Sequence, residues 1–156
     1  MLAVALRAGR RSYLAAGDEL AVDADLVLLL DHAVALPAGR GDVLRVAIPV
    51  AAYALAWRRD DADGRKQFLE AFAGTVVTTY ALKKTIDKSR PNGDDEAFPS
   101  GHAATAFAGA AFLHRRYGWR DAWPAYLLSA YVGWTRIDAD EHDGWDVLAG
   151  GAIAVG

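Results

Sequence analysis

Three short stretches of this 156-residue chain carry side chains that could do chemistry together. The first holds Lys83 and, after six residues, Arg90-Pro91. The second is Pro99-Ser100-Gly101-His102. The third opens Thr135-Arg136, reaches His142 after five more residues and Asp146 after a further three. Three cations, two imidazoles, a carboxylate and a Ser-Gly helix start together suit the gripping of an oxyanion and chemistry upon it. Ser100 is a good N-cap, and Gly101 leaves the first backbone N–H groups uncovered. A helix start of that kind turns unpaired donors and the positive end of its dipole toward an anion.

The residue types then divide the labour. Phosphoryl transfer asks mainly for positioning and charge stabilisation. Lys83, Arg90 and Arg136 supply positive charge, and guanidiniums can hold two oxygens at once. Ser100 and the N–H groups at Gly101 add neutral donors. His142 and Asp146 are four residues apart, so on a helix they share a face. A carboxylate beside an imidazole fixes its tautomer and supports the cation formed on attack. His142 is therefore the candidate nucleophile, Asp146 its orienter, and His102 is left to protonate the leaving oxygen.

Each piece alone is ordinary. Lys83, Lys84 and Lys88 read as a solvated helix end, where cations are common. A surface His–Asp pair at this spacing contributes only about 0.3–0.5 kcal/mol. Asp138, Asp140, Glu141 and Asp143 read as an acidic solvated loop, and His32 and His114 as structural. The three stretches in this order are another matter. Lys-x6-Arg-Pro, Pro-Ser-Gly-His and Arg-x5-His-x3-Asp together resemble the signature of the type 2 phosphatidic acid phosphatase (PAP2) superfamily. That group also holds bacterial class A acid phosphatases and vanadium haloperoxidases. The resemblance covers residues 83–146. The family's third motif usually opens Ser-Arg; Thr135 keeps the hydroxyl.

The resemblance implies hydrolysis of phosphomonoesters or of lipid phosphates and pyrophosphates. It implies a phosphohistidine at His142, acid catalysis from His102, and phosphate binding by Lys83, Arg90, Ser100, Gly101 and Arg136. It calls for no metal and no other cofactor, although vanadate would fit the same pocket as a phosphate mimic. A vanadate-dependent haloperoxidase is one alternative, for which the chain is short. A non-catalytic lipid-phosphate binder is another, and the intact His142–Asp146 pair argues against it.

The elements that must position these residues read as helices. Apolar or amphipathic stretches at 20–36, 43–59, 67–84, 101–117, 122–137 and 144–156 predict a compact all-α bundle of five or six helices, with no strand pattern. Pro37-Ala38-Gly39 closes the first, Asp42 is a plausible N-cap of the second, and Pro49 should kink it. Residues 60–66 read as a charged loop. Phe68, Phe72, Val76 and Tyr80 make one stripe on the third helix. Ala104 with Ala108, and Thr105 with Gly109, are small pairs that permit close helix approach. Each candidate residue falls at a helix end or start, so an up-and-down bundle would gather them at one pole.

Composition bounds the rest. The 156 residues suffice for a single domain with its own core, and the absence of cysteine excludes disulfides and thiolate metal sites. A net charge of −3 argues against a nucleic-acid partner. Hydrophobic residues make up 53 % of the chain, yet mean hydropathy is only +0.07. No uncharged run reaches the roughly 20 residues of a membrane span; 46–57, 71–82 and 122–135 are examples. Arg58, Arg59, Arg65, Lys66, Arg115, Arg116 and Arg120 lie away from the candidate site, so a membrane-spanning chain would place that site outside. The expected setting is a bacterial-type cell envelope, in membrane or periplasm, with a membrane as location or substrate source. The apolar run at 147–156 ends without a polar exit, so the chain is expected to continue.

Overall fold

The computed structural model describes residues 39–156. The helix expected at 20–36, with His32, lies outside them. Five helices follow in order: α1 (Arg40–Arg58), α2 (Ala62–Thr85), α3 (Gly101–Tyr117), α4 (Trp119–Asp138) and α5 (Gly144–Val155). No strand occurs among the described residues.

α3 is the axis of the bundle and packs against all four other helices. Its composition explains why. Ala103, Ala104, Ala106, Ala108, Gly109, Ala110 and Ala111 are all buried, and side chains this small let neighbours crowd in from every side. The larger apolar volume comes from around it: Leu44, Ile48 and Leu55 of α1, Phe68 of α2, Phe112 and Leu113 of α3, and Val132 of α4. Phe68 stacks on Phe72 and meets Phe112 edge-on, with ring centroids 5.5 and 5.2 Å apart. Only half of the α2 stripe enters this core. Val76 and Tyr80, 41 % and 61 % exposed, lie beyond it.

Three helix starts differ from expectation, each for a local reason. α1 begins at Arg40 behind Gly39, whose φ of 70° supplies the left-handed cap, so Asp42 is inside the first turn and does not cap it. Residues 62–66 are helical because Asp61 caps α2, accepting from the Gly64 N–H at 2.9 Å. α4 begins at Trp119 because Gly118, at φ 91°, both ends α3 and starts α4. Pro49 lies within α1 as expected.

Candidate active site

The long segment between α2 and α3 is tied down at both ends. Lys83, in the last turn of α2, donates from Nζ to the Glu96 carbonyl at 2.6 Å, across a turn where Glu96 takes a left-handed φ of 60°. The Ala97 N–H donates to the Lys88 carbonyl at 2.8 Å. Ser100 then caps α3, its hydroxyl accepting from the Ala103 N–H at 3.4 Å. Its own N–H donates to the Asp146 carbonyl at 2.9 Å, which joins the second motif directly to the third.

The third motif turns back on itself. The N–H groups of Glu141 and His142 both donate to the Arg136 carbonyl, at 3.0 and 3.2 Å, while Asp140 takes a left-handed φ of 54° at the end of α4. Asp143 then caps α5, accepting from Trp145 and Asp146, and the Asp146 side chain accepts from the Asp143 N–H at 3.0 Å. This capping box fixes the Asp146 carboxylate. α5 lies so close to the α3 start that a Cβ on Gly150 would fall 2.4 Å from the Ser100 carbonyl oxygen.

These ties bring five of the eight expected residues to one cleft of about 310 Å³. Lys83, Arg90, Gly101, His102 and His142 line it. The other three stand behind the wall. Asp146 is fully buried, with Oδ2 3.7 Å from His142 Nδ1 and Oδ1 2.6 Å from Lys88 Nζ. Ser100 is fully buried as the cap. The Arg136 side chain, 13 % exposed, lies 3.3 Å from Asp42.

Several neighbours of the site belong to no motif. Arg45 of α1 lines the cleft, as do Thr79 and Tyr80 of α2. Asp42 Oδ1 lies 2.7 Å from His102 Nε2. Two acids of the loop expected to be solvated have partners: Glu141 is ion-paired to Arg90, and Asp143 accepts from Lys88 Nζ at 2.7 Å. His114 lies on the surface, edge-on to both Trp119 and Tyr126, away from the cleft. Only the full cluster of facing side chains reveals Arg45 or Asp42, because neither stands at motif spacing from anything.

The electrostatics favour an anion. Burial, then the nearby Arg90 charge, lowers the pKa of Lys83 from its ordinary value. Burial and then the Lys83 ammonium push His142 down to about 4, so its imidazole is neutral at physiological pH and can attack. His142 Nδ1 faces Asp146 Oδ2 at 3.7 Å, too far for a hydrogen bond and without another partner inside the chain, and Nε2 is the remaining nitrogen. Burial also lowers the pKa of His102, against the opposing hydrogen bond that it donates to Asp42. On the cleft wall, the Thr79 hydroxyl and the Arg45 Nε are buried donors with no partner inside the chain. Such groups are costly unless an acceptor reaches them, and a phosphoryl group brings several. Among the described residues, no His, Asp or Glu cluster is arranged to hold a metal ion.

Known proteins share both the sequence and the fold. The family model described as the PAP2 superfamily matches residues 66–156, and the chain belongs to that superfamily. It is 38 % identical over 89 residues to a lipid A 1-phosphatase of Porphyromonas gingivalis, covering 54 % of this chain and 20 % of that protein. It is 34 % identical over 132 residues to a lipid A 4'-phosphatase of Helicobacter pylori, covering 74 % of this chain and 64 % of that protein. The chain thus spans less than two thirds of either relative. The fold matches the crystal structure of Aquifex aeolicus LpxE with a TM-score of 0.63 and 20 % identity, over 86 % of this chain and 84 % of that one.

Proposed function

We propose that this protein is a phosphatase that removes phosphate from lipid-linked monoesters through a phosphohistidine on His142. The carrying observation is the meeting of Lys83, Arg90, Gly101, His102 and His142 on one cleft, with Asp146 buried behind His142. Lys83 and Arg90 neutralise the phosphoryl oxygens, joined by Arg45 from α1. The backbone N–H groups at Gly101 bind the same oxygens, while behind the cleft wall the Ser100 hydroxyl caps α3 and Arg136 packs against Asp42. His142 attacks phosphorus, Asp146 supports the imidazolium that results, and His102 protonates the leaving oxygen. Water then hydrolyses the phosphohistidine.

A lipid substrate is supported by the surface beside the cleft. An apolar groove of about 390 Å³ runs between α1 and α2 and shares Arg45 and Thr105 with the phosphate cleft. Val46, Val50, Leu69 and Phe72 line it, and an acyl chain would match their chemistry. The lipid A phosphatases to which the chain is similar support the same reading. No described helix is long and apolar enough to cross a membrane. The exposed Trp57, Trp119, Trp134 and Trp145 favour contact with a membrane surface in the cell envelope.

The test is a phosphate-release panel of lipid phosphates against soluble esters, with and without detergent. Faster release from lipid phosphates, competitive inhibition by vanadate and no release by His142→Ala are the expected results. Halide oxidation with vanadate and peroxide, without phosphate release, would select the haloperoxidase reading. Lipid-phosphate binding without turnover would select the binder.

A further inference from the structure

His102 has a carboxylate partner from outside all three motifs. Asp42 stands in the first turn of α1, with Oδ1 2.7 Å from His102 Nε2 and 3.3 Å from Arg136 Nη1. That turn reaches the site because Gly41 lies against the end of α4. A Cβ on Gly41 would fall 2.2 Å from Thr135 Oγ1 and 3.2 Å from Arg136 Nη2. The fold therefore presses Asp42 onto the residues that open the third motif. Position 42 also lies outside residues 66–156, the part matched by the family model.

We propose that Asp42 is the positioning residue of the proton donor: it holds the Nε2–H of His102 and leaves Nδ1 as the nitrogen that protonates the leaving oxygen. This rests on the phosphatase reading. An imidazole has two nitrogens, and one here is taken by the carboxylate. Across the cleft the assignment is reversed, since His142 turns Nδ1 to Asp146 and keeps Nε2 for phosphorus. The two rings thus face the phosphoryl group by different nitrogens.

The step balances. His142 Nε2 attacks phosphorus, a P–N bond forms, and the P–O bond to the leaving group breaks. The Nδ1–H of the His102 imidazolium passes to the departing alkoxide. In the return half, neutral Nδ1 takes a proton from water as that oxygen attacks phosphorus, and the P–N bond breaks. Asp42 stays ionised throughout, because the hydrogen bond from His102 holds its carboxyl below the ordinary carboxylate value.

Charged and titratable groups face His102 from several elements. α1 brings Asp42 and Arg45, and α4 brings Arg136. Across the cleft stand Lys83 and Tyr80 of α2, with Arg90, Glu141 and His142 from the connecting segments. Burial and the guanidiniums of Arg45 and Arg136 favour the neutral ring, and Asp42 opposes them. Removing that carboxylate lets His102 lose its second proton at lower pH.

The test compares Asp42→Asn and Asp42→Glu with the wild type on two esters. An alkyl phosphate has a poor leaving group that needs a proton; p-nitrophenyl phosphate has a phenolate that leaves without one. For Asp42→Asn, kcat on the alkyl ester should fall about tenfold or more, and on the aryl ester by less than about threefold. The alkaline limb of the alkyl pH profile should move to lower pH. The competitive Ki of inorganic phosphate should stay within about threefold of wild type, which separates His102 from Arg136. Asp42→Glu should recover part of the alkyl rate. Equal losses on both esters, or an unmoved alkaline limb, would overturn the proposal. A measurement on the unaltered protein stands beside these. Long-range proton–nitrogen NMR of neutral His102 should place its proton on Nε2, and a proton on Nδ1 would overturn the assignment. If the wild type cleaves neither ester, the phosphatase reading fails, while the NMR result still decides whether Asp42 holds this ring.

Discussion

His142 and His102 both stand beside a carboxylate, but the two pairs are built by different means. Asp146 stands in the first turn of α5, four residues after His142, fully buried, and is anchored by Lys88 and by the α5 capping box. Asp42 comes from another helix, its side chain is 53 % exposed, and it is shared between His102 and Arg136. The first pair is sheltered from water and local in the chain. The second is open and depends on two helix ends meeting. A nucleophile must keep one nitrogen free and unprotonated through the attack, which burial favours. A proton donor regains its proton from the attacking water in the second half of the cycle, so its partner need only hold the other nitrogen and can stay open to solvent.

Substitutions can break this contrast from the sheltered side first. His142→Ala should reduce phosphate release by at least about 10³-fold on every ester, because no other group can accept the phosphoryl group. Acid-quenched enzyme should then carry no phosphohistidine, while circular dichroism keeps its helical signal. Asp146→Asn should lower kcat on both leaving groups alike. It should also destabilise the fold by roughly 2–3 kcal/mol in urea titrations, since Lys88 and the Asp143 N–H lose a charged acceptor. His102→Ala should be selective instead, with a loss of about 10²-fold on alkyl esters and much less on p-nitrophenyl phosphate. Equal sensitivity of the two esters to His102→Ala would erase the distinction between the pairs.

Two smaller effects sharpen it. Because His142 is held at about 4, below the 6.5 of a free imidazole, the unfolded chain binds more protons between those values. Folding stability from this group is complete above pH 6.5 and is lost as pH falls toward 4. Urea titrations at stepped pH should show that loss, and His142→Gln should flatten it. Gly150→Ala should push α5 off the α3 start, because its Cβ would meet the Ser100 carbonyl oxygen. A fall in kcat with a modest fall in Tm is expected, since α5 carries Asp146 and the α3 start carries His102.

Much of this is legible locally. The α3 bounds follow from Ser100 as cap and Gly118 as stop. His142 and Asp146 do meet, but not on one helix face as their spacing suggests: His142 precedes the Asp143 cap, and the capping box turns Asp146 back toward it. The α2 start escapes a reading of the sequence because charged residues 62–66 look like a loop until Asp61 is seen capping them. Val76 and Tyr80 continue an apolar stripe in the sequence, but α2 runs past the core, and its upper half borders the cleft. Glu141 and Asp143 look like solvent-facing acids because their partners, Arg90 and Lys88, are more than fifty residues away.

The sequence by itself determined which five segments are helices, that Ser100 caps α3, and that His142 and Asp146 are close. These depend on contacts within one or two turns, whose geometry repeats every 3.6 residues and so leaves a periodic trace. Only the tertiary structure decided that Arg45 joins the cleft, that Arg136 lies against Asp42, and which nitrogen of His102 is spoken for. Those contacts cross between helices, where approach is set by packing against a slim α3, and packing at a distance leaves no spacing to read.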